Sequence, residues 1–180
     1  MSAVGNLHPL TVGDYLHLVE NGRGRYEATE LVEGMVYDVS PESLLHVLAV
    51  RHLLHGFEAA LPGRVVLPGG SIELGGHSLW IPDLVVLRAD AALDGTYVGA
   101  AAVEVVVEVS VSTIRVDLGV KLSGYARANI AEYWVVVPQP DGFLLQHRHS
   151  DGDGYQEERR TELPEGYKSV NVTDLLDRSS

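Results

Sequence analysis

Residues 103 to 112 read VEVVVEVSVS, a run so dense in β-branched apolar side chains that it is best used as a strand covered on both faces. Two glutamates interrupt it, Glu104 and Glu108. An unpaired carboxylate costs several kcal/mol to bury, so any glutamate here that points inward needs a partner. Alternation places Glu104, Val106, Glu108, Ser110 and Ser112 on one face and Val103, Val105, Val107, Val109 and Val111 on the other. Two readings stand at this point. The segment is either an edge strand with a solvated polar face, or a central strand whose polar end looks into a site.

The chain has 180 residues, enough for one domain of ordinary size with a real core, and we expect one unit over 1–180 with its ordered part at about 10–177. It contains no cysteine, which excludes disulfides, thiolate metal sites and a thiol nucleophile and fits a cytoplasmic protein. No segment approaches the roughly 20 apolar residues that span a bilayer, so no membrane association is expected. A net charge of -12 disfavours tight nonspecific binding to nucleic acid, because that affinity comes from lysines and arginines displacing counterions. Only two lysines occur, Lys121 and Lys168, and Arg23 and Arg25 on a glycine-rich loop are the nearest approach to a basic patch.

Local signals give the remaining elements. Thr11 is placed to cap a helix over residues 12 to 20. YEATELVEGMVYDVS reads as two strands around a tight turn at Glu33-Gly34. SPESLLHVLAVRHLLHGFEAAL offers Ser40 as a cap, Pro41 at the first helical position and apolar residues 44, 45, 48, 53, 54 and 57, the longest helix expected. Short strands follow at RVVLP, SIEL and LWIPDLVVL, with PGG and GG as hairpin turns, and residues 89 to 102 form a crossing loop. STIRVDLGVKLSGYARANI reads as a helix, EYWVVV, GFLLQHRHS and GYQEERR as strands, DGDG as a turn and VTDLLD as a terminal helix.

Asp83 follows a proline at the start of a strand, where a bend or bulge can aim it into a cleft. With a carboxylate from the neighbouring long strand it makes a site for a hard divalent cation, which takes oxygen ligands. Asp117, Lys121 and Tyr125 are spaced by four along the next helix. The simplest role for Asp117 and Lys121 is the ordinary helical ion pair, about 0.2–0.5 kcal/mol at a surface. The alternative is that Lys121, on a helix starting where the strand of Glu108 ends, reaches the water at the cation.

Taken together, Pro-Asp followed by VVLR, then VEVSVSTIRVDLGVKLSGYARANIAEYWVVV, resembles the Uma-two family of restriction endonucleases within the PD-(D/E)xK nuclease superfamily. YEATELVEGMVY resembles its amino-terminal hairpin, and SPESLLHVLAVRHL its following helix with a histidine, here His46. The resemblance implies an α/β fold with a restriction-endonuclease-like core, a mixed curved sheet flanked by helices with additional antiparallel strands. It makes Asp83 and Glu108 the acids that hold Mg2+ or Mn2+, with the Val109 carbonyl as a further ligand, and Lys121 the catalytic lysine. The lysine is displaced from the strand position two after the glutamate, where Ser110 stands, into the helix. Glu30, His46, Asp117 and Tyr125 become supporting residues, DNA the implied substrate, and a homodimer a means of joining two weakly basic edges into one cleft. Met35 replaces an acid usual in the family's hairpin, and Glu104 is expected at a solvated strand entrance with no catalytic role.

Two further readings remain open from sequence: a nuclease fold kept for binding or structure, and a phosphoesterase acting on small nucleotides. His52 with His55, and His147 with His149, share faces, but no third ligand is evident for either pair.

Overall fold

The computed structural model describes residues 8–22, 24–26, 28–139, 142–150 and 155–160. The expected turn at 151–154, the terminal helix and Lys168 lie outside the described residues.

Helix α1 (Val12–Asn21) starts as expected, with a capping box in which Thr11 accepts from the Asp14 amide and Asp14 accepts from the Thr11 amide. Strands β1 (Thr29–Val32) and β2 (Met35–Asp38) form the expected hairpin, and its turn places both Glu33 and Gly34 at positive φ, 50° and 80°. Helix α2 (Leu44–Ala60) begins three residues later than predicted. Ser43, not Ser40, is the cap: its backbone is extended and its hydroxyl accepts from the His46 amide at 3.2 Å. Its buried positions are Ala49, Leu53 and Phe57, whereas Leu44 and Leu48, assigned to the apolar stripe, are exposed.

The strands β3 (Val66–Pro68), β4 (Ile72–Glu73), β5 (Leu79–Trp80), β6 (Leu84–Leu87), β7 (Val98–Gly99), β8 (Val103–Val109), β9 (Glu132–Gln139), β10 (Gly142–Ser150) and β11 (Tyr155–Arg160) make two sheets with the first hairpin. One runs β2-β1-β5-β4-β7, the other β11-β10-β9-β8-β6-β3. LWIPDLVVL is therefore two strands rather than one: β5 belongs to the first sheet and β6 to the second, and Ile81-Pro82-Asp83 carries the chain between them. PGG likewise joins strands of different sheets and is no hairpin, while GG does close the β4–β5 hairpin.

β8 is interior, antiparallel to β6 and parallel to β9, so the solvated-edge reading is excluded. Val105, Val106 and Val107 are all fully buried. On one face Val105, Val107 and Val109 pack under α2 with Leu53, Phe57 and Trp134; on the other, Val106 packs with Trp80, Tyr125 and Tyr133. The register slips between Val86 and Leu87, pairing them with Val105 and Val103 and leaving Glu104 as the extra residue of a bulge. Val103 consequently joins the Val106 side, and the uniform valine wall does not form.

The crossover from β8 to β9 is helical but irregular: α3 (Ile114–Val116), a π-helical turn over Asp117–Lys121, then α4 (Leu122–Arg127). Gly124 lets α4 approach the first sheet closely, since a Cβ there would stand 2.0 Å from Trp80. Trp80 meets the Tyr125 ring edge-on, with centroids 5.0 Å apart. Within the described residues, no helix is long and apolar enough to cross a membrane.

Candidate active site

Asp83 sits in the link between the sheets, one residue before β6, and the antiparallel pairing of β6 with β8 brings it to the carboxyl end of β8. There its Oδ2 accepts from the Val109 amide at 2.6 Å and lies 3.0 Å from His46 Nε2 in the first turn of α2. Asp83 is thereby held against Val109, the residue whose carbonyl was expected as a further cation ligand. The carbonyl of a strand residue points to the same side as its N–H, so it faces the same cleft.

Glu108 lies next door with 3% exposure, so its partners must come from the protein. Lys121 Nζ donates to its Oε1 at 2.8 Å, and the Tyr125 hydroxyl donates to the same oxygen at 2.9 Å. The helical Asp117–Lys121 pair suggested by spacing is not what forms. The π-helical turn rotates Lys121 toward the strand, and Asp117 instead accepts from the Thr113 hydroxyl at 2.6 Å, while Tyr133 anchors the turn by donating to the Asp117 carbonyl at 2.9 Å. Glu30 on β1 accepts from the Ile81 amide at 2.8 Å, tying the first sheet to the segment that carries Asp83.

Glu30, His46, Asp83, Glu108, Asp117 and Lys121 line one cleft of about 530 Å³, where Asp38 and Glu42 bring the carboxylates among the described residues to six, against one lysine. Burial pushes the Glu108 carboxyl up to about 8, with the charges of Asp83 and Asp117 adding to the rise and Lys121 opposing it. Burial alone would depress the Lys121 ammonium, but the charges of Glu108, Glu30 and Asp117 outweigh it and hold it above its ordinary value. Burial and the Glu108 charge raise the Tyr125 hydroxyl, which stays a donor. The hydrogen bond to Asp83 raises His46, against the effect of burial and with help from Glu42.

Such a cleft is short of positive charge. Asp83 Oδ1 and Glu108 Oε2 accept no hydrogen bond among the described residues, so each acid keeps an oxygen for a ligand. Two hard oxygen donors, a backbone carbonyl on the same side and a surplus of carboxylates suit a divalent cation. Glu42, His46 and Asp83 also bring one ligand atom each within 4.8 Å of one another. Sequence reasoning left out Glu42; its position four residues before His46 on the same side of the helix start was the available signal.

The other candidates separate from the cleft. His55 lies 3.4 Å from Glu58 on an exposed face, and Glu104, part-exposed at the entrance to β8, pairs with Arg64 away from the cleft. Arg25 is exposed in a turn.

The model of the Uma2 family, described as "putative restriction endonuclease", matches residues 12–176. The chain belongs to the Uma2 family. Its fold is also that of a solved structure, a "putative nuclease belonging to DUF820" from Anabaena variabilis, at 14% identity, covering 93% of this chain and 98% of that one with a TM-score of 0.68. No curated protein matches the chain. Within the Uma2 match fall the Pro-Asp link, β8 and the irregular crossover helix, the three elements that build the cleft.

Proposed function

We propose that this Uma2 protein is a Mg2+- or Mn2+-dependent endonuclease that hydrolyses DNA phosphodiester bonds, with Asp83, Glu108 and Lys121 as its catalytic residues. One observation supports this most: an acid at the start of β6 and an acid at the end of β8 open onto one cleft, with a lysine held against the second acid at 2.8 Å. Asp83, Glu108 and the Val109 carbonyl would hold the cation. When bound, it supplies Lewis-acid polarisation of the phosphoryl oxygen.

Lys121 spends one N–H on Glu108 and has two left for the cleft, where they orient the attacking water and offset charge that develops on the phosphoryl group. Tyr125 donates to the same Glu108 oxygen as Lys121, so the two together fix the orientation of the carboxylate. Asp117, tied to Thr113, holds the turn that presents Lys121. Glu30 and His46 fix Asp83 and its link. A homodimer would join two weakly basic edges into one cleft and so partly offset the net charge of -12 on each chain.

Nicking of supercoiled plasmid at low salt tests the reading. Wild type with Mg2+ or Mn2+ should nick, chelator should abolish nicking, and Lys121→Ala should slow it by about 10²-fold or more. Equal nicking by wild type and Lys121→Ala, or none by either, would reject it. If affinity for the substrate hardly changes with salt, the substrate is a small nucleotide rather than a duplex.

A further inference from the structure

The cleft contains one imidazole among its carboxylates. His46 is the only histidine among the described residues that line it, and its side chain is 12% exposed. Nε2 faces Asp83 Oδ2 at 3.0 Å. Nδ1 is buried without a well-formed hydrogen bond, with Glu42 Oε2 at 3.3 Å. The ring is thus flanked on both sides by carboxylates, one from its own helix and one from the link that carries the catalytic aspartate.

Neighbouring ligands of an octahedral ion with bonds of about 2.1 Å stand about 3.0 Å apart. The Nε2 and Oδ2 separation has that value, so an ion can be shared by the two atoms with little movement of either element. Glu42 supplies what a ligating histidine usually has, a carboxylate beside its other nitrogen that selects the Nδ1–H tautomer and turns the Nε2 lone pair toward the site. A cation held here would take the place of the proton between Nε2 and Oδ2.

We propose that His46 Nε2 is a cation ligand beside Asp83, oriented by Glu42, and that it biases the site toward first-row transition ions over Mg2+. The physical reason is donor softness. A site of carboxylate, carbonyl and water oxygens suits Mg2+ as well as Mn2+, whereas an imidazole nitrogen suits transition ions and is a poor exchange for a water on Mg2+. The inference rests on the cation site of the proposed nuclease and specifies which ion that site takes. Glu42 is a positioning residue, acting on the ion through the ring.

The test uses Mn2+ alone with the full chain, read by electron spin-echo envelope modulation and by calorimetry. Wild type should show ¹⁴N modulation on bound Mn2+, lost in His46→Gln. Mn2+ affinity should fall about tenfold in His46→Gln and in Glu42→Gln, the latter keeping the ¹⁴N signal, while Mg2+ affinity changes less than about threefold in both. Bound Mn2+ without ¹⁴N modulation in wild type would overturn the inference and leave the Asp83–Glu108 site standing. No Mn2+ binding by wild type would overturn both. The wild-type spectrum decides the ligand question by itself, so a variant that fails to fold does not block the test.

Discussion

The two ends of β8 carry the same residue in the same kind of pair, and they behave differently. At the entrance Glu104, in the bulge, pairs with Arg64, and the two side chains are 29% and 30% exposed. At the exit Glu108 pairs with Lys121, at 4% and 18%. Arg64 also donates to the Leu87 carbonyl at 3.2 Å, so the first pair closes the end of the neighbouring strand. The second pair instead faces a cleft shared with five other carboxylates. A carboxylate on a strand becomes a candidate for chemistry when it is dry, outnumbered by like charges and left with an uncommitted oxygen. An ion pair alone does not separate the two.

The largest effect that sharpens this contrast comes from removing each cation. Lys121→Met leaves Glu108 buried without its partner, a change that costs about 3–5 kcal/mol when the acid is ionised. The pH dependence follows from the raised carboxyl. A buried acid whose native value lies near 8, against 4.5 unperturbed, binds more protons folded than unfolded between those limits, so stability falls as pH rises across that window. In chelator, thermal denaturation of wild type should show this decline from about pH 5 to 8, and Glu108→Gln should flatten it. Lys121→Met should be destabilised most above pH 8 and much less at pH 5, where the proton replaces the lysine. A Lys121→Met deficit independent of pH would show that packing, not charge, holds this end of the strand.

What could be read in advance follows the same division. The buried strand, the Thr11 cap, the Glu33-Gly34 turn and the long helix are local patterns, and the structure contains each of them. The bulge at Glu104 was not legible, because it arises from how β6 pairs with β8 and no residue in either strand signals it. The division of LWIPDLVVL between two sheets was hidden for the same reason, although Pro82 marked the place. Asp83, Glu108, Lys121 and Tyr125 were all nameable from their order along the chain. Their arrangement was not, since helical spacing pairs Lys121 with Asp117, and only the π-helical turn gives it to Glu108.

A smaller effect tests the packing that makes the exit end rigid. Gly124→Ala puts a methyl group into the Trp80 ring, which is packed on Tyr125 and cannot withdraw cheaply. Overpacking of this kind costs about 1–3 kcal/mol. The Tyr125 hydroxyl should shift from Glu108 as well, so the variant should lose stability and divalent-cation affinity together. Gly119→Ala is the control. It lies in the π-helical turn with nothing within 4 Å of its Cβ position, and the substitution should be neutral or stabilise by roughly 0.5–1 kcal/mol. Equal losses in the two would mean that the turn, rather than the Trp80 contact, positions the tyrosine.

The smallest expected effect belongs to the entrance pair, and it is the one most able to break the comparison. Arg64→Met removes a partner from a carboxylate that water can still reach, and half-exposed pairs of this sort contribute about 0–1 kcal/mol. Glu104→Gln keeps the shape of the bulge and should leave both cation affinity and any phosphodiester hydrolysis unchanged within twofold. Isothermal titration with Mn2+ and chemical denaturation of the two variants check this directly. A loss of cation affinity in Glu104→Gln would mean that the bulge sets the register of the whole strand, and with it the distance from Glu108 to Asp83. The two ends would then be one mechanical unit, and the dryness of the exit would depend on the pair at the entrance.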